Sequence, residues 1–172
     1  MTLCNDNDLI LVEGLKRLSI DLEENAIDKL KMYKDILVRL NKEVNLTAIT
    51  DEREVFIKHF LDSATCLSTG YIKKDYKIID IGTGAGFPGL VLKILKNDID
   101  ITLLDSLRKR IVALERIAEE LGLKNVKMIH GRAEEYGNID DYREKFDIAL
   151  SRAVASFNVL LEYCLPFVKV GG

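Results

Sequence analysis

Cysteine, histidine and tryptophan are scarce in this chain of 172 residues, which has three cysteines, two histidines and no tryptophan. Cys4, Cys66 and Cys164 are too few and too scattered for a disulfide framework. His59 and His130 are the only histidines, so no cluster has the ligand spacing of a zinc site. The sequence therefore predicts neither disulfide nor metal chemistry.

Long apolar runs are also missing. The longest unbroken run is four residues, as at Leu9–Val12, whereas a membrane-spanning helix needs roughly 18. The first eight residues are acidic and polar, where a secretory signal would have a basic end followed by an apolar stretch. We therefore predict no membrane association and expect a cytoplasmic protein.

An excess of positive charge is absent as well. The sequence has 25 Lys and Arg residues and 28 Asp and Glu residues, which gives a net charge of −3. This balance disfavours indiscriminate binding to phosphate backbones but leaves room for a local basic patch. With 48% apolar residues, the length suits one domain with a substantial core.

The chain changes its periodicity near Gly70. Before it, apolar residues recur at intervals of three and four, which predicts about three helices with a loop at residues 45–50. After it, short β-rich runs alternate with helical ones, which is typical of a parallel α/β sheet. We therefore predict an N-terminal helical extension at residues 1–70 and an α/β core at residues 71–172.

The predicted core has four strands and at least three helices. The strands are expected at Lys77–Ile81, Ile101–Asp105, Val126–His130 and Phe146–Ser151. The helices are expected at Pro88–Lys96, at Ser106–Leu121 with Gly122 as its C-cap, and from about Phe157. Four strands make a small sheet, and we expect its C-terminal strands to be missing.

A glycine-rich turn follows the first predicted strand directly. Gly82, Gly84, Gly86 and Gly89 allow positive φ and remove the Cβ between backbone and ligand, so an adenosine-bearing molecule could lie against this turn. The alternative is a tight strand-to-helix connection that happens to be glycine-rich. Four glycines within eight residues favour the ligand site.

Asp105 ends the second predicted strand, 21 positions beyond Gly84. An acidic side chain there can accept hydrogen bonds from both hydroxyls of a ribose. The alternative role is an N-cap for the helix that begins at Ser106.

Two cofactor classes compete for this turn. The string Gly84–Gly89 satisfies G-x-G-x-x-G, the fingerprint of dinucleotide-binding domains, so an NAD-dependent oxidoreductase remains an alternative. However, about seventy residues precede the strand, and Gly82-x-Gly84-x-Gly86 after Asp80 looks like the first motif of S-adenosylmethionine (SAM) methyltransferases. An acidic pair after the third strand, Glu134 and Glu135, also favours SAM, although it could be a solvated first helical turn.

Five strings together resemble one family, the RsmG/GidB family of 7-methylguanosine methyltransferases of bacterial 16S ribosomal RNA. They are Asn45-Leu46-Thr47, His59-Phe60-Leu61-Asp62-Ser63, Asp80 to Gly89, Leu103 to Arg110 and Ser151-Arg152-Ala153. The resemblance covers nearly the whole chain, and family members continue past the position of Gly172.

The resemblance implies a Rossmann-like class I SAM-dependent methyltransferase fold, SAM as cofactor, and 16S ribosomal RNA in the 30S subunit as partner. It does not imply an oligomeric state. Gly82, Phe87, Ala133, Glu134 and Arg152 fall on the family's SAM-binding positions. By the same resemblance, Asp105, Ser106 and Leu107 lie at the ribose and adenine edge. A second alternative is a truncated relative that binds SAM or RNA without turnover.

No catalytic residue is predicted, which agrees with the implied reaction. Guanine N7 has an in-plane lone pair, so it can attack a sulfonium methyl without first losing a proton. Catalysis would then depend on alignment and on a pocket suited to positive charge. Neither cysteine near the core, Cys66 or Cys164, is placed as a nucleophile, and Ser151–Val154 replaces the Asn/Asp-Pro-Pro-aromatic string of amine methyltransferases.

Several charged residues have both a functional and a structural interpretation. Arg152 could pair with the SAM carboxylate or an RNA phosphate, or form a surface ion pair. Arg108, Lys109 and Arg110 oppose the dipole of their helix, which hints at an anionic partner. His59 and Asp62 lie three apart on one helical face and could form a wall of the site, although a lone histidine on such a face more often has a structural role.

Overall fold

The computed structural model describes residues 6–172, so Cys4 lies outside the described residues. The first half of the described chain is helical. Its elements are α1 (Asp6–Arg17), α2 (Ala26–Val44), α3 (Glu52–Val55), a π-helix (Phe56–Leu61) and α4 (Asp62–Ser68). The last three run on without a break, and residues 45–51 form the loop that the sequence predicts.

The second half alternates strands and helices, as predicted. The strands are β1 (Lys77–Ile81), β2 (Asp100–Asp105), β3 (Val126–His130) and β4 (Ile148–Ser151). The helices are α5 (Gly89–Leu95), α6 (Arg108–Glu120), α7 (Ala133–Tyr136) and α8 (Phe157–Cys164), followed by a 3₁₀ turn at Leu165–Phe167. All strand pairs are parallel, in the order β3-β2-β1-β4.

The two faces of the sheet pack into different apolar clusters. In β1, Ile78 points into the larger cluster and Ile79 into the smaller one, because successive side chains of a strand alternate between faces. The burial of β1 and β2 on both faces accounts for their nearly continuous apolar runs in the sequence.

The N-terminal helices share the larger cluster with the sheet. Leu30, Tyr33 and Leu37 of α2 are fully buried in the same cluster as Leu90 of α5 and Leu114 of α6. Residues 1–70 and 71–172 therefore meet in a common apolar core over their described parts.

The starts of β4 and α6 differ from the predicted ones by two residues, whereas the other predicted ends in the core agree within one residue. Strand β4 begins at Ile148, because Phe146 instead forms a parallel bridge to Val168 and accepts a hydrogen bond from the N–H of Lys169 at 2.9 Å. Helix α6 begins at Arg108, because the backbone N–H of Leu107 donates to the carboxylate of Asp105.

The C-terminus of α6 is as predicted. Gly122 has φ +62°, its N–H donates to the carbonyl of Glu119, and the N–H of Leu123 donates to that of Ala118. This is the Schellman arrangement, which satisfies carbonyls that the helix leaves free.

Within residues 6–172, none of the helices combines the length and the hydropathy that a membrane span requires. The same residues contain no group of three or more His, Cys, Asp or Glu side chains placed to hold a metal ion.

Candidate functional site

The carboxyl ends of the four parallel strands lie at one edge of the sheet. The segments that follow them begin at Gly82, Ser106, Gly131 and Arg152. In open α/β sheets, ligands bind in the crevice outside this edge. Eight of the nine predicted site residues lie in these segments or at the strand end before them, and Phe87 lies at the far end of the glycine turn.

The glycine turn has the backbone conformation that its sequence predicts. Gly82, Gly84 and Gly86 have φ values of +68°, +60° and +96°, which side chains rarely tolerate. The N–H of Gly82 donates to the carbonyl of Leu104 at 2.8 Å, which ties the turn to β2. The turn is therefore a fixed backbone surface.

Helix α2 holds the same turn from the other side. The hydroxyl of Tyr33 donates to the carbonyl of Ala85 at 2.5 Å, and burial raises the pKa of this hydroxyl well above its usual value. A Cβ at Gly86 would lie 2.6 Å from that hydroxyl oxygen, so a larger residue there would displace Tyr33. The helical extension thus shapes the predicted ligand site directly.

Asp105 connects the turn to the β2–α6 segment. Its Oδ2 accepts the backbone N–H of Gly84 at 2.9 Å, and its Oδ1 accepts that of Leu107 at 2.9 Å. Arg110 lies 3.4 Å from Oδ2, and the carboxylate is only 2% exposed. The carboxylate therefore fixes two neighbouring loops, while its contact with a ribose stays a prediction.

A cavity of about 180 Å³ opens at this edge, between the ends of β1, β2 and β3. Five of the predicted residues line it, namely Gly82, Asp105, Ser106, Ala133 and Glu134. Val154 and Tyr163 close it from the β4 side. The structure thus gathers residues that are up to 52 positions apart, from Gly82 to Glu134, around one small cavity.

The other four predicted residues, Gly84, Phe87, Leu107 and Arg152, do not line this cavity. Leu107 lies in the segment after β2 and is 42% exposed, and its backbone N–H donates to the carboxylate of Asp105. Phe87 is buried beyond the glycine turn, where its ring stacks on that of His59 with centroids 4.4 Å apart. The guanidinium of Arg152 lies 5.3 Å from the centroid of the Phe87 ring.

Arg152 is the centre of a second polar cluster. Its Nη1 donates to Asp62 Oδ2 at 2.8 Å and to the carbonyl of Lys58 at 3.2 Å, and its Nη2 lies 3.3 Å from His59 Nδ1. All three contacts are with the π-helix and the first residue of α4, and π-helical turns often occur at functional sites. The ion pair with Asp62 is thus part of a network rather than an isolated surface pair.

His59 is uncharged at neutral pH. Burial, with the nearby charge of Arg152 as the next cause, lowers the pKa of its imidazole to about 4. Its Nε2 lies 2.9 Å from the hydroxyl oxygen of Thr47, in the loop between α2 and α3. The structure therefore brings together His59 and Asp62, which the sequence analysis considered as a pair, and adds Arg152 and Thr47.

Residues 26–172 match the family described as GidB, rRNA small subunit methyltransferase G. The ribosomal RNA small subunit methyltransferase G of Alkaliphilus oremlandii is 57% identical over 163 residues, which are 95% of this chain and 68% of that protein. Its counterpart in Alkaliphilus metalliredigens is 52% identical over 97% of this chain and 70% of that protein. The chain belongs to the rRNA small subunit methyltransferase G family.

Solved structures of more distant methyltransferases have the same fold. A SAM-dependent methyltransferase from Thiobacillus denitrificans, solved with S-adenosyl-L-homocysteine, has a TM-score of 0.54 and 20% identity, covering 80% of this chain and 51% of that one. One from Geobacter sulfurreducens, also with S-adenosyl-L-homocysteine, has a TM-score of 0.53 and 21% identity, covering 64% and 44%. The predicted Rossmann-like class I fold is confirmed.

Membership of the methyltransferase G family decides between the two cofactor classes that the G-x-G-x-x-G string left open, and it does not favour an oxidoreductase. The family assignment predicted from the five sequence strings is likewise confirmed. The roles of individual site residues stay predictions.

Asp80 is a buried residue of β1, and the sequence analysis gave it no role. Its carboxylate is fully buried, and Oδ2 accepts the hydroxyl of Thr83 at 2.6 Å and the N–H of Gly89 at 2.9 Å. Burial raises the pKa of Asp80 to about 6 despite these two bonds. The sequence signal for this role was an acidic residue near the end of an apolar strand, directly before a glycine-rich turn.

A larger cavity, about 650 Å³, lies along β4 between α4 and α8. Its lining includes Cys66 and Cys164 but none of the nine predicted site residues. Burial raises the pKa of both thiols, so neither is activated as a nucleophile.

Proposed function

We propose that this chain transfers the methyl group of SAM to N7 of a guanine in 16S ribosomal RNA of the small ribosomal subunit. The observation that supports this most is the family match over residues 26–172, together with 57% identity to a named rRNA small subunit methyltransferase G. We infer accordingly that the protein works in the cytoplasm, where ribosomal subunits are found.

The residues at the strand ends fit SAM. A Cβ at Gly84 would meet only one atom within 4 Å, the carbonyl oxygen of Gly82, so the face of the turn there is open to a ligand. We propose that Gly82, Gly84, Asp105, Ser106 and Leu107 hold the adenosyl part. SAM, when bound, supplies an electrophilic methyl on a sulfonium.

The remaining predicted residues complete the proposed SAM site. Ala133 and Glu134 line the same cavity as Gly82, and the charge of Glu134 raises the pKa of the neighbouring Tyr163. Phe87 and Arg152 lie beyond the glycine turn, on the side of the helical extension. We propose that this second group faces the methionine end of SAM and the incoming base.

The protein's contribution to the reaction is then alignment. The backbone bonds of Gly82 and Gly84 to β2 and Asp105 fix the turn before ligand arrives, so little reorganisation is required. In the Arg152 cluster, burial and the charge of Arg152 lower the pKa of His59 to about 4, which makes its imidazole a weak base, and the carboxylate of Asp62 is paired with Arg152. Guanine N7 needs no such base, because its lone pair is already free.

We also propose that residues 1–70 and 71–172 fold as one cooperative unit. The helical extension and the sheet contribute to one apolar cluster, and Tyr33 bonds the glycine turn. A single unfolding transition seen by both tyrosine fluorescence and far-ultraviolet circular dichroism would support this, and two separated transitions would contradict it.

Methyl transfer is the test of the proposed function. Tritiated SAM and 30S particles that lack the 7-methylguanosine mark should give incorporation of label into 16S RNA, with 7-methylguanosine recovered after nuclease digestion. Binding of SAM without incorporation would instead indicate a non-catalytic binding protein. Label in a different nucleoside would contradict the proposed target atom.

A further inference from the structure

Four polar side chains from three segments form one continuous hydrogen-bonded row beside the glycine turn. Asp62 pairs with Arg152, Arg152 contacts His59 Nδ1 at 3.3 Å, and His59 Nε2 contacts Thr47 Oγ1 at 2.9 Å. The imidazole is stacked on Phe87 and cannot turn freely. The row therefore begins at an ion pair after β4 and ends at a hydroxyl in the 45–51 loop.

The direction of every bond in this row follows from its donors. A guanidinium has only N–H donors, so the contact at 3.3 Å assigns Nδ1 of His59 as the acceptor, while the nearby carbonyl of Lys58 accepts from Nη1 of Arg152. A neutral imidazole then has its proton on Nε2, which donates to the hydroxyl oxygen of Thr47. The backbone N–H of Ile49 donates to the same oxygen at 3.0 Å.

Thr47 is thereby left as a donor. Both lone pairs of its Oγ1 are engaged, so its remaining capacity is the O–H proton. Among residues 6–172, no group accepts that proton. The hydroxyl is therefore a hydrogen-bond donor whose direction is set by Arg152 through His59.

The backbone of Thr47 is held firmly. Asn41 of α2 accepts the N–H of Leu46 at 2.6 Å and that of Thr47 at 2.9 Å, and its amide donates to the carbonyl of Thr47 at 2.8 Å. Groups fixed in this way lose little entropy when they bind, which is the property of a preorganised recognition element.

We propose that the Thr47 hydroxyl donates to O6 of the target guanine and so selects guanine over adenine. This inference rests on the proposed function. O6 is the acceptor next to N7 on the guanine edge, whereas adenine has an amino donor in that place. A fixed donor facing an amino group would be unpaired, so adenine would be rejected. His59 is then a positioning residue that sets the polarity of Thr47.

The first experiment removes the donor alone. Thr47→Val should lower kcat/KM for 30S particles lacking the mark by about tenfold or more, because a buried polar contact to the base is lost. Thr47→Ser should stay within about threefold of wild type. The Kd for SAM, measured by calorimetry, should be unchanged in both. Equal activity of Thr47→Val and wild type would overturn the proposal.

The second experiment reverses the polarity while leaving Thr47 in place. His59→Glu offers only acceptors, so Thr47 would donate to Glu and lose its free proton. His59→Gln retains one acceptor and one donor. Methyl transfer should fall in His59→Glu and be largely kept in His59→Gln. The same loss in both variants would show that polarity does not matter and would overturn the proposal.

A third measurement separates this inference from the proposed function. Nitrogen-15 NMR of the imidazole in wild type should show a neutral ring at pH 6 with the proton on Nε2. A proton on Nδ1 would overturn the polarity argument, whatever the activity of the chain. Absence of methyl transfer in wild type with the expected tautomer would instead contradict the proposed function.

Discussion

The two halves of the candidate site are built in different ways. On the cavity side, backbone N–H groups of Gly82, Thr83 and Gly84 bond to β2 and to Asp105, all within 24 positions of one another. On the Arg152 side, side chains bond across 93 positions, from His59 to Arg152. The backbone conformation of the glycine turn can be recognised from a short sequence string. The side-chain contacts of Arg152 cannot be recognised in this way.

The largest effect is expected at Gly84, where a branched side chain would fill the space proposed for SAM. Gly84→Val should abolish detectable SAM binding while far-ultraviolet circular dichroism stays that of wild type. Calorimetric titration with SAM measures this.

Gly122 provides a matched control. Its φ of +62° is nearly that of Gly84, and a Cβ there would also meet open space, but it lies at the C-terminus of α6. Gly122→Val should suffer similar backbone strain and bind SAM as wild type does. Equal loss of SAM binding in both variants would contradict a ligand site at Gly84.

The next largest effect concerns Asp80, the buried acid beneath the turn. Its pKa is 3.8 for the free side chain and about 6 in the fold, so the folded state holds the proton more tightly. The stability that this group contributes is present below about pH 4 and is lost as pH rises through 6, by about 3 kcal/mol.

Asp80→Asn should remove that decline. The free energy of unfolding of the variant minus that of wild type should increase by about 2.5 kcal/mol between pH 4 and pH 7.5. Urea titrations at both pH values measure the difference. A pH-independent difference between variant and wild type would show that Asp80 has an ordinary pKa.

Asp105 tests whether the cavity side depends on its backbone bonds. Asp105→Ala removes the acceptor for the N–H groups of Gly84 and Leu107, which should cost about 1.5–3 kcal/mol of stability as charge-assisted bonds. SAM binding should weaken about tenfold or more because the turn and the proposed ribose contact are both affected.

Asp105→Asn serves as the comparison for Asp105→Ala, since it keeps one carbonyl acceptor. It should lie between alanine and wild type in chemical denaturation and in SAM titration. Unchanged SAM affinity in Asp105→Ala, with stability reduced, would restrict Asp105 to a structural role.

The smallest effect is expected on the pKa of the His59 imidazole when Arg152 is replaced. Arg152 is, after burial, the second cause of the lowered pKa of His59. In Arg152→Ala the pKa of His59 should rise from about 4 but stay below 6.5, because burial remains. NMR titration of the ring protons follows it, and an unchanged pKa would mean that Arg152 does not face His59 in solution.

The sequence predicted the central strands of the sheet well because β1 and β2 are buried on both faces. Lys77–Ile81 and Val126–His130 were predicted with the observed ends. The start of β4 was predicted at Phe146 but lies at Ile148, because the bridge from Phe146 to Val168 depends on the chain after α8. Helix α6 starts late because Asp105 holds Leu107, a tertiary contact that periodicity does not report.

The site was predicted in part for the same physical reason. Positive φ values strongly favour glycine, so a run of them in one turn is visible in the sequence as a glycine-rich string. Parallel topology then gathers Asp105 and Glu134 at the same edge of the sheet. The position of Thr47 next to His59 depends on the packing of the 45–51 loop against the π-helix. No local spacing determines that packing, so the row from Asp62 to Thr47 required the structure.

Calorimetric titration of the chain with SAM, with NAD as the parallel ligand, tests the central claim most directly. One saturable SAM site and no heat of binding with NAD are expected, because the turn and its cavity are proposed to hold the adenosyl group of a methyl donor. No SAM binding, or tighter binding of NAD than of SAM, would contradict the account.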